Sequence, residues 1–333
     1  MGFGYKVNAL YSGAGIIVTY KCTAACLHCC YSSSPKRDGA YMTRETANKI
    51  FALLSEKGCR SVHIGGGEPF MSFEGLLGVC ESAQRNRVSI DYIETNASWY
   101  TDGTDVSQKL KKLRAAGIDC LLISVDPFHN EFVPYVKVKN LLKCCEKNNI
   151  GTFLWQSKFE RIVRRFNENT THALGEYTEK LGADFIKSAA DAYGIGYNGR
   201  ALRILDGPGY SAEHFLNSSG PSDRCAGKLG SLHHFHVDLN GDFIPPGCIG
   251  FKINIFDLCG AGSEGLNEAK YANFLSVVNG GFGSFYERAA DSGFRPDPNG
   301  YVSKCSLCLD IKRYILEKES PYDIGPAGFF EES

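Results

Sequence analysis

Short apolar runs alternate with amphipathic stretches along the first two-thirds of the chain. Six apolar runs have the length and residue types of β-strands, at 16–20, 61–64, 88–94, 119–125, 152–156 and 184–187. Five segments between them repeat apolar residues at helical spacing, at 43–57, 73–85, 106–116, 131–147 and 172–181. Strands that alternate with helices predict right-handed crossovers and a parallel sheet. The six strands predict an α/β fold, a partial (β/α)6 barrel with its site at the carboxyl ends of the strands.

The pattern changes near residue 205. Glycine, proline and serine become frequent beyond this point, and long helical patterns give way to one helix-like stretch at 309–318. Asn240 and Gly241 stand between two apolar runs, which is typical of a tight β-hairpin. We therefore predict two domains, a barrel over 1–205 and a smaller domain over 206–333.

Composition and charge argue against a nucleic-acid-binding protein and against a membrane protein. Hydrophobic residues make up 43% of the 333 residues, which is enough for a large core. Lysine and arginine total 36 and aspartate and glutamate 37, so the sequence lacks the basic excess of a nucleic-acid binder. No apolar run approaches the ~18 residues of a membrane span, and the N-terminus does not have a signal-peptide pattern. We expect a cytoplasmic protein with neither nucleic-acid nor membrane partners.

Four cysteines lie close together just after the first predicted strand. Cys22, Cys26 and Cys29 have the spacing C-x3-C-x2-C, and Cys30 follows directly. In a reducing compartment, grouped thiols more often bind metal or do chemistry than form disulfides. Three thiolates would leave one iron of a [4Fe–4S] cluster open to another ligand, whereas a structural zinc site needs four protein ligands. Because adjacent residues rarely reach the same centre, we interpret Cys30 as a supporting or buried thiol.

The cysteine spacing resembles the signature of radical S-adenosylmethionine (SAM) enzymes, and the resemblance extends to the Gly-Gly-Gly-Glu-Pro segment at 65–69. In this family the open iron binds SAM, and reduction of the cluster cleaves SAM to a 5′-deoxyadenosyl radical that abstracts hydrogen from the substrate. The resemblance therefore implies a [4Fe–4S] cluster on Cys22, Cys26 and Cys29. It also implies SAM as a bound cofactor and an electron donor such as flavodoxin or ferredoxin.

Glycine-rich or polar positions follow the second to fifth predicted strands. In the family such positions contact SAM, and glycine permits a backbone to approach a ligand closely. For this chain the resemblance implies SAM contacts at Gly65, Gly66, Gly67, Glu68, Pro69, Thr95, Asn96, Ser124, Asp126 and Gln156. Lys158 is the alternative to Gln156 at the end of the fifth strand.

A second group of cysteines, Cys225, Cys248, Cys305 and Cys308, lies beyond residue 205. Four thiolates can hold a second [4Fe–4S] cluster, and they equally suit a structural zinc ion. Histidines within 233–236 are further candidates for a zinc site, although we interpret them as strand residues, two facing outward and one inward. The layout resembles the single-cluster auxiliary domain, twitch or SPASM-like, of peptide-modifying radical SAM enzymes. That resemblance implies these four cysteines as ligands of an auxiliary cluster.

The candidate catalytic residues are Cys248, Cys259, Asp126 and His129. The chain resembles radical SAM peptide epimerases, in which a cysteine directly after a cluster ligand returns a hydrogen atom to the substrate radical. This chain has one cysteine where those enzymes have two. Either Cys248 is the donor and the cluster has three cysteine ligands here, or Cys248 is a ligand and the donor lies elsewhere or is absent. Cys259 and Cys30 are the spare thiols. Asp126 is a candidate for ribose binding, and His129 for substrate contact or acid–base work.

Three functional hypotheses follow. The first is a radical SAM enzyme that abstracts a Cα or Cβ hydrogen from a ribosomally made peptide, leading to epimerisation or cross-linking. The alternative is a radical SAM dehydrogenase or rearrangement enzyme that acts on a small molecule. The third, from a different class, is a non-catalytic iron–sulfur or zinc protein.

Overall fold

The structure is a computed structural model that describes residues 13–194, 196–205, 207, 209–217, 224–229, 231–261 and 265–330. Within these ranges one sheet contains the strands β1 (Ala14–Ile17), β2 (Ser61–Gly65), β3 (Ser89–Thr95), β4 (Cys120–Ser124), β5 (Gly151–Trp155), β6 (His236–Asp238), β7 (Asp242–Ile244) and β8 (Ile253–Asn254). Their order across the sheet is β5-β4-β3-β2-β1-β6-β7-β8.

Helices connect and cover these strands. Those of the first half are α1 (Arg44–Glu56), α2 (Phe73–Arg85), α3 (Gly103–Ala115), α4 (Pro127–Asn130), α5 (Tyr135–Lys147), α6 (Glu160–Val163), α7 (Leu174–Leu181) and α8 (Phe185–Tyr193). Those of the second half are α9 (Ala212–Leu216), α10 (Arg224–Leu229), α11 (Ile255–Gly260), α12 (Ala272–Asp291) and α13 (Lys304–Glu319). Within the described ranges, no helix combines the length and apolar character needed to cross a membrane.

The first five strands form the parallel sheet that the sequence predicts. Each strand from β1 to β5 pairs in parallel with the next, and α1, α2, α3 and α5 form the crossovers. The side chains of Thr43, Ser72 and Asp102 cap the first three of these helices by accepting backbone N–H bonds. The α/β class, with the parallel core of a radical SAM-like partial barrel, is therefore confirmed.

The sixth predicted strand, at 184–187, is wrong, because this segment begins helix α8. Phe185 and Ile186 form a short apolar run, but the apolar pattern continues through Ala189, Ala190 and Tyr193. That spacing places several of these side chains on one helical face. The face packs in a cluster with Phe128 and Phe159 beside the cysteine loop.

The sheet obtains its sixth parallel strand from beyond residue 205. β6 pairs in parallel with β1 on the side away from β2, with His236 beside Gly15 and Asp238 beside Ile17. Because β6 belongs to the predicted smaller domain, the sheet is continuous across the predicted boundary. The division into domains near residue 205 stays a prediction.

Long helices also occur beyond residue 205, so the expectation that they end there is wrong. α12 spans 20 residues and α13 spans 16. Glycines at 280, 281 and 283 make the sequence of α12 unlike that of a typical helix, so the helix was not predicted. Gly281 kinks α12, with φ of 78° and ψ of −177°. Phe274, Phe282 and Phe285 are buried on this helix, and their packing outweighs the low helix propensity of glycine.

The hairpin predicted at Asn240 and Gly241 is confirmed, because β6 and β7 pair in antiparallel fashion around these residues. Asp238 Oδ1 accepts the backbone N–H groups of Asn240 and Asp242, each at 2.9 Å. Asp238 Oδ2 accepts the Tyr20 hydroxyl at 2.9 Å. The hairpin is thereby tied to the segment that follows β1.

Asp242 gives the fold a testable pH dependence. Burial and the neighbouring Asp238 raise the pKa of Asp242 to about 7. The folded chain thus holds a proton that the unfolded chain has released, so this group costs stability as pH rises from about 4 to 7. We expect Asp242→Asn to gain free energy of unfolding relative to wild type between about pH 5 and about pH 8.

The measurement is urea unfolding followed by circular dichroism at the two pH values. Asp291→Asn, which changes an exposed aspartate, is the matched control. An equal pH response of the two variants would contradict proton uptake at Asp242.

Candidate functional site

A cavity of about 470 Å³ lies at the carboxyl ends of the parallel strands. The loop between β1 and α1 brings Cys22, Cys26 and Cys29 to its wall. The other predicted site residues on this wall are Gly66, Gly67, Thr95, Asn96, Ser124 and His129. These residues meet because the carboxyl ends of parallel strands share one edge of the sheet.

The cysteine loop is held by a buried arginine. Within the loop, the Cys29 N–H donates to Cys26 O at 3.0 Å. Arg200 donates Nη1 to Cys26 O and Nη2 to Ser33 O, each at 3.0 Å. Charged donors make the stronger hydrogen bonds, so Arg200 fixes the shape of the loop that carries the thiols. Sequence reasoning missed this role, since 174 residues separate Arg200 from Cys26.

The surroundings of the thiols fit an iron–sulfur cluster. Burial raises the pKa of Cys22 and of Cys26, so these thiols keep their protons until a metal displaces them. His28 Nδ1 and the hydroxyls of Ser32 and Ser33 are buried without a hydrogen-bond partner among the described residues. Buried polar atoms normally have partners. Donors of this kind beside three thiols suit a cluster, because the sulfurs of such clusters accept hydrogen bonds.

Gly66 and Gly67 allow the backbone after β2 to lie in close contact with the beginning of the cysteine loop. A Cβ on Gly66, whose φ is +131°, would lie 2.5 Å from Thr19 O. A Cβ on Gly67 would lie 2.0 Å from Lys21 O, and the Gly67 N–H donates to Thr19 O at 2.8 Å. The glycines are therefore required for contact within the protein as well as for access to the cavity.

Glu68 is fully buried and braces the end of β3 instead of lining the cavity. Its carboxylate accepts the Asn96 N–H at 2.8 Å, the Thr95 hydroxyl at 3.0 Å and the Phe70 N–H at 3.1 Å. Burial raises the pKa of Glu68 to about 7, although these hydrogen bonds act in the opposite direction. The side chain positions Thr95 and Asn96, which do reach the cavity wall.

Asn96 and Ser124 present polar side chains to the cavity from the ends of β3 and β4. Asn96 Nδ2 donates to Thr23 Oγ1 at 3.2 Å and lies 3.5 Å from Cys22 Sγ. The amide of Asn96 thus links the third strand directly to the cysteine loop.

Three other residues predicted to contact SAM, Gly65, Pro69 and Gln156, do not line the cavity. Gly65 is covered by a carboxylate, because a Cβ there would lie 2.7 Å from Glu94 Oε2. Pro69 is buried at the start of a short 3-10 turn. Gln156 donates Nε2 to Tyr193 O at 2.9 Å. The contact of these residues with SAM stays a prediction.

Asp126 is fully buried and orients His129. Oδ1 accepts the His129 N–H at 2.9 Å at the start of α4, and Oδ2 lies 2.7 Å from His129 Nδ1. Burial lowers the pKa of His129, but Asp126 and Cys26 outweigh it and raise that pKa well above its ordinary value. The ligand atoms of Cys26, His28 and His129 lie within 4.8 Å of one another. A role for Asp126 in ribose binding stays a prediction, whereas its contact with His129 is direct.

The four cysteines predicted for an auxiliary cluster all act electrostatically on a buried lysine, Lys312 on α13. Burial lowers the pKa of Lys312, but the four thiols, Cys248 first, raise it above its ordinary value. Lys312 Nζ lies 3.8 Å from Cys248 Sγ and donates to Ile249 O at 2.7 Å. The lysine follows Cys308 by one helical turn, a spacing that sequence reasoning did not use.

Two further thiols differ in their access to the cavity. Cys259 is buried in the core on α11, where burial raises its pKa to about 11, and it does not line the cavity. Cys30, interpreted from the sequence as supporting or buried, does line it. The assignment of Cys248 or Cys259 as a hydrogen donor stays a prediction.

Removal of the Glu68 carboxylate tests whether it braces the site. We expect Glu68→Gln to lower the free energy of unfolding by about 1–3 kcal/mol, because a buried amide nitrogen would replace an oxygen that accepts backbone N–H groups. Urea unfolding at about pH 5, where the Glu68 carboxyl still carries its proton in the folded chain and no buried charge is removed, would measure this loss relative to wild type.

Glu74→Gln is the control, since the Glu74 side chain is 77% exposed on the neighbouring helix. Comparable stability of the two variants would refute a bracing role for Glu68.

Comparison with known proteins defines the family of this region. A family model described as the Radical SAM superfamily matches residues 16–154. The putative peptide biosynthesis protein YydG of Bacillus subtilis (strain 168) is 26% identical over 127 residues, 38% of this chain and 40% of that protein. The probable GTP 3',8-cyclase of Methanococcus maripaludis (strain C5 / ATCC BAA-1333) is 24% identical over 169 residues, 50% of this chain and 54% of that protein. The chain thus spans about half the length of these curated relatives, or less.

Among solved structures, Streptococcus suis SuiB bound to the precursor peptide SuiA is 13% identical, with a TM-score of 0.37. The likeness covers 90% of this chain and 76% of SuiB. The family match runs from β1 to β5 and includes the cysteine loop and the strand ends that line the cavity. Residues 16–154 therefore match the radical SAM superfamily, whose enzymes use a [4Fe–4S] cluster and SAM.

Proposed function

We propose that this chain is a radical SAM enzyme that modifies a peptide, by epimerisation or cross-linking. The observation that carries the proposal is the shared cavity, in which Cys22, Cys26 and Cys29 lie with Gly66 and Gly67. When bound there, a [4Fe–4S] cluster and SAM supply a 5′-deoxyadenosyl radical after one-electron reduction. The thiolates would hold three irons of the cluster and leave the fourth for SAM.

The residues of the cavity have separate tasks in this proposal. Thr95, Asn96 and Ser124 offer hydrogen-bonding groups to the polar parts of SAM. Gly66 and Gly67 let the ligand approach the backbone at the end of β2. The protein thus orients the cofactor and excludes water, while the cofactor carries the radical chemistry.

Two observations support a peptide as the substrate. The relative YydG is named a putative peptide biosynthesis protein. β5 is an edge strand of the sheet, with Phe153 39% exposed and Trp155 41% exposed, and Trp155 also lines the cavity. An open edge strand can pair with an extended chain through its backbone, and exposed aromatic rings add apolar contact.

The relatives named GTP 3',8-cyclase favour a second candidate, a rearrangement of a small molecule. The two candidates differ in which compound stimulates SAM cleavage. A peptide encoded beside this gene would raise the formation of 5′-deoxyadenosine under the first, and GTP would raise it under the second.

The second cysteine group supports an auxiliary cluster in the proposed enzyme. Cys225, Cys248, Cys305 and Cys308 all act on the pKa of the buried Lys312, whose Nζ lies 3.8 Å from Cys248 Sγ. A buried ammonium group offsets the negative charge of thiolates that are bound to metal. A structural zinc ion would use the same four thiolates, and iron analysis separates the two.

Iron content tests both proposed clusters. After anaerobic reconstitution we expect about eight iron and eight labile sulfide atoms per wild-type chain, and about four of each in Cys22/Cys26/Cys29→Ala. This triple variant should also lose the dithionite-dependent formation of 5′-deoxyadenosine from SAM. Elemental analysis, a sulfide assay and chromatography of the nucleoside give the three readouts.

Cys144→Ala, which removes a buried thiol on α5 away from the cavity, is the control and should match wild type. About four irons in wild type and none in the triple variant would remove the auxiliary cluster from the proposal. Undiminished SAM cleavage by the triple variant would refute the proposed role of the loop.

Cys30 is our candidate for the hydrogen donor if the reaction is epimerisation. It lines the cavity, whereas Cys248 and Cys259 do not. Abstraction of a Cα hydrogen would yield 5′-deoxyadenosine and a substrate carbon radical. Transfer of the thiol hydrogen to this carbon would leave a sulfur radical on Cys30. One electron from a flavodoxin or ferredoxin and one solvent proton would restore the thiol.

Solvent deuterium tests this assignment. With a precursor peptide as the substrate in deuterium oxide, wild type should place one deuterium at the modified Cα. Cys30→Ala should still form 5′-deoxyadenosine but should lose deuterated product. Mass spectrometry of the peptide measures both the label and its position.

Cys259→Ala serves as the comparison and should keep the label. Loss of the label in Cys259→Ala, with retention in Cys30→Ala, would contradict the assignment of Cys30. Retention in both would point to Cys248.

A further inference from the structure

Three histidines from distant parts of the sequence converge beside the sheet. His63 lies on β2, His236 is the first residue of β6, and His234 lies two residues before it. One ring nitrogen from each lies within 4.8 Å of the other two. Their rings are packed with centroids 5.2–5.4 Å apart. The group lies apart from both cysteine groups in sequence and uses none of their residues.

The strand register explains how two of these rings meet. On β1, Gly15 pairs with His63 on one side and with His236 on the other. Residues paired in this way on neighbouring strands face the same side of the sheet. A Cβ on Gly15 would lie 2.6 Å from His63 Nε2 and 2.5 Å from His236 Nε2. Glycine thus leaves a space above β1 into which the two ring nitrogens point.

A carboxylate completes the group. Glu94 Oε1 on β3 lies 3.7 Å from His63 Nε2. Glu94 and His234 both line the cavity, so the group opens toward it. The Glu94 side chain is 40% exposed, in keeping with its place on the cavity wall.

The ring nitrogens of this group are available to bind a cation. Among the described residues, no hydrogen bond joins any of these rings to another group, and the separation of His63 from Glu94 is too long for one. Neutral imidazole is the form of histidine that binds metal.

Core packing is the competing explanation for this group. His63 stacks on Tyr92 with centroids 5.1 Å apart and planes 14° apart, as an aromatic core residue would. His234 also stacks on His63, but it is exposed, so burial of its ring does not explain why one of its nitrogens lies within 4.8 Å of the other two. Packing also does not account for the nitrogens that face each other across Gly15.

We propose that His63, His234 and His236, with Glu94 as the fourth ligand, bind a divalent transition metal ion of the zinc class. Imidazole nitrogen and carboxylate oxygen are ligands that zinc takes in tetrahedral geometry. The exposed His234 can rotate to close the group around an ion. Because Glu94 and His234 lie on the cavity wall, the ion would sit where it can hold a carboxylate or carbonyl oxygen of a bound substrate. The site does not depend on the proposed radical chemistry.

Zinc binding to the reconstituted full-length protein tests the site. The cysteines are first loaded with iron and sulfide anaerobically, so that they do not compete, and zinc is then titrated by equilibrium dialysis. Elemental analysis counts the bound zinc. X-ray absorption at the zinc edge separates nitrogen or oxygen neighbours at ~2.0–2.1 Å from sulfur neighbours at ~2.3 Å.

We expect one zinc per wild-type chain, with a nitrogen and oxygen shell. His234→Ala should weaken binding by more than about tenfold, since loss of even an outer partner of a metal ligand costs that much. His233→Ala removes the neighbouring exposed histidine and should bind like wild type. Gly15→Ala should also weaken binding, because the added Cβ collides with both buried rings.

Three results would overturn the proposal. These are the absence of zinc above the level of a buffer control, a zinc shell that contains sulfur, and equal zinc affinity of His234→Ala and wild type. Iron content in each variant reports that the fold is intact, and SAM cleavage is not needed for any readout. Failure of the metal site is therefore distinguishable from failure of the proposed radical activity.

Discussion

The buried Glu68 carboxylate is the interaction on which the rest of the site depends. It lies after β2 and accepts the Asn96 N–H and the Thr95 hydroxyl at the end of β3. Since burial of an unpartnered carboxylate is costly, these donors cannot move away without a large loss of stability. The ends of two neighbouring strands are thereby locked together. Asn96 extends this lock to the cysteine loop through its contact with Thr23.

The cysteine loop is also held from the opposite end of the chain. Tyr20, just before the loop, donates to Asp238 in the β6–β7 hairpin. Arg200 donates to carbonyl groups within the loop. Residues from both predicted domains therefore hold one loop. The sheet also extends from one predicted domain into the other, because β6 pairs with β1. Removal of residues 206–333 would leave the edge of β1 and the Tyr20 hydroxyl without their partners.

Both groups of thiols have a buried cation nearby. His129, whose pKa the Asp126 carboxylate raises, lies beside Cys26, and Lys312 lies among the second four thiols. A metal-bound thiolate carries negative charge into a medium of low dielectric constant, and a neighbouring cation offsets that cost. The histidine group beside β1 differs from both, because it offers imidazole nitrogens and a carboxylate oxygen in place of thiols. The sites that we propose for iron and for zinc thus differ in the atoms that would bind the metal.

The amino-acid sequence by itself determined the class of fold, five of the parallel strands and the thiol loop, because these depend on local periodicity and on spacing within a few residues. Only the tertiary structure decided the position of the sixth strand, since a three-residue strand such as β6 is stabilised by its pairing with β1. It also decided the roles of Arg200 and Lys312 and the meeting of His63 with His236. These contacts join residues far apart in the chain, and their energy comes from burial that no local pattern records.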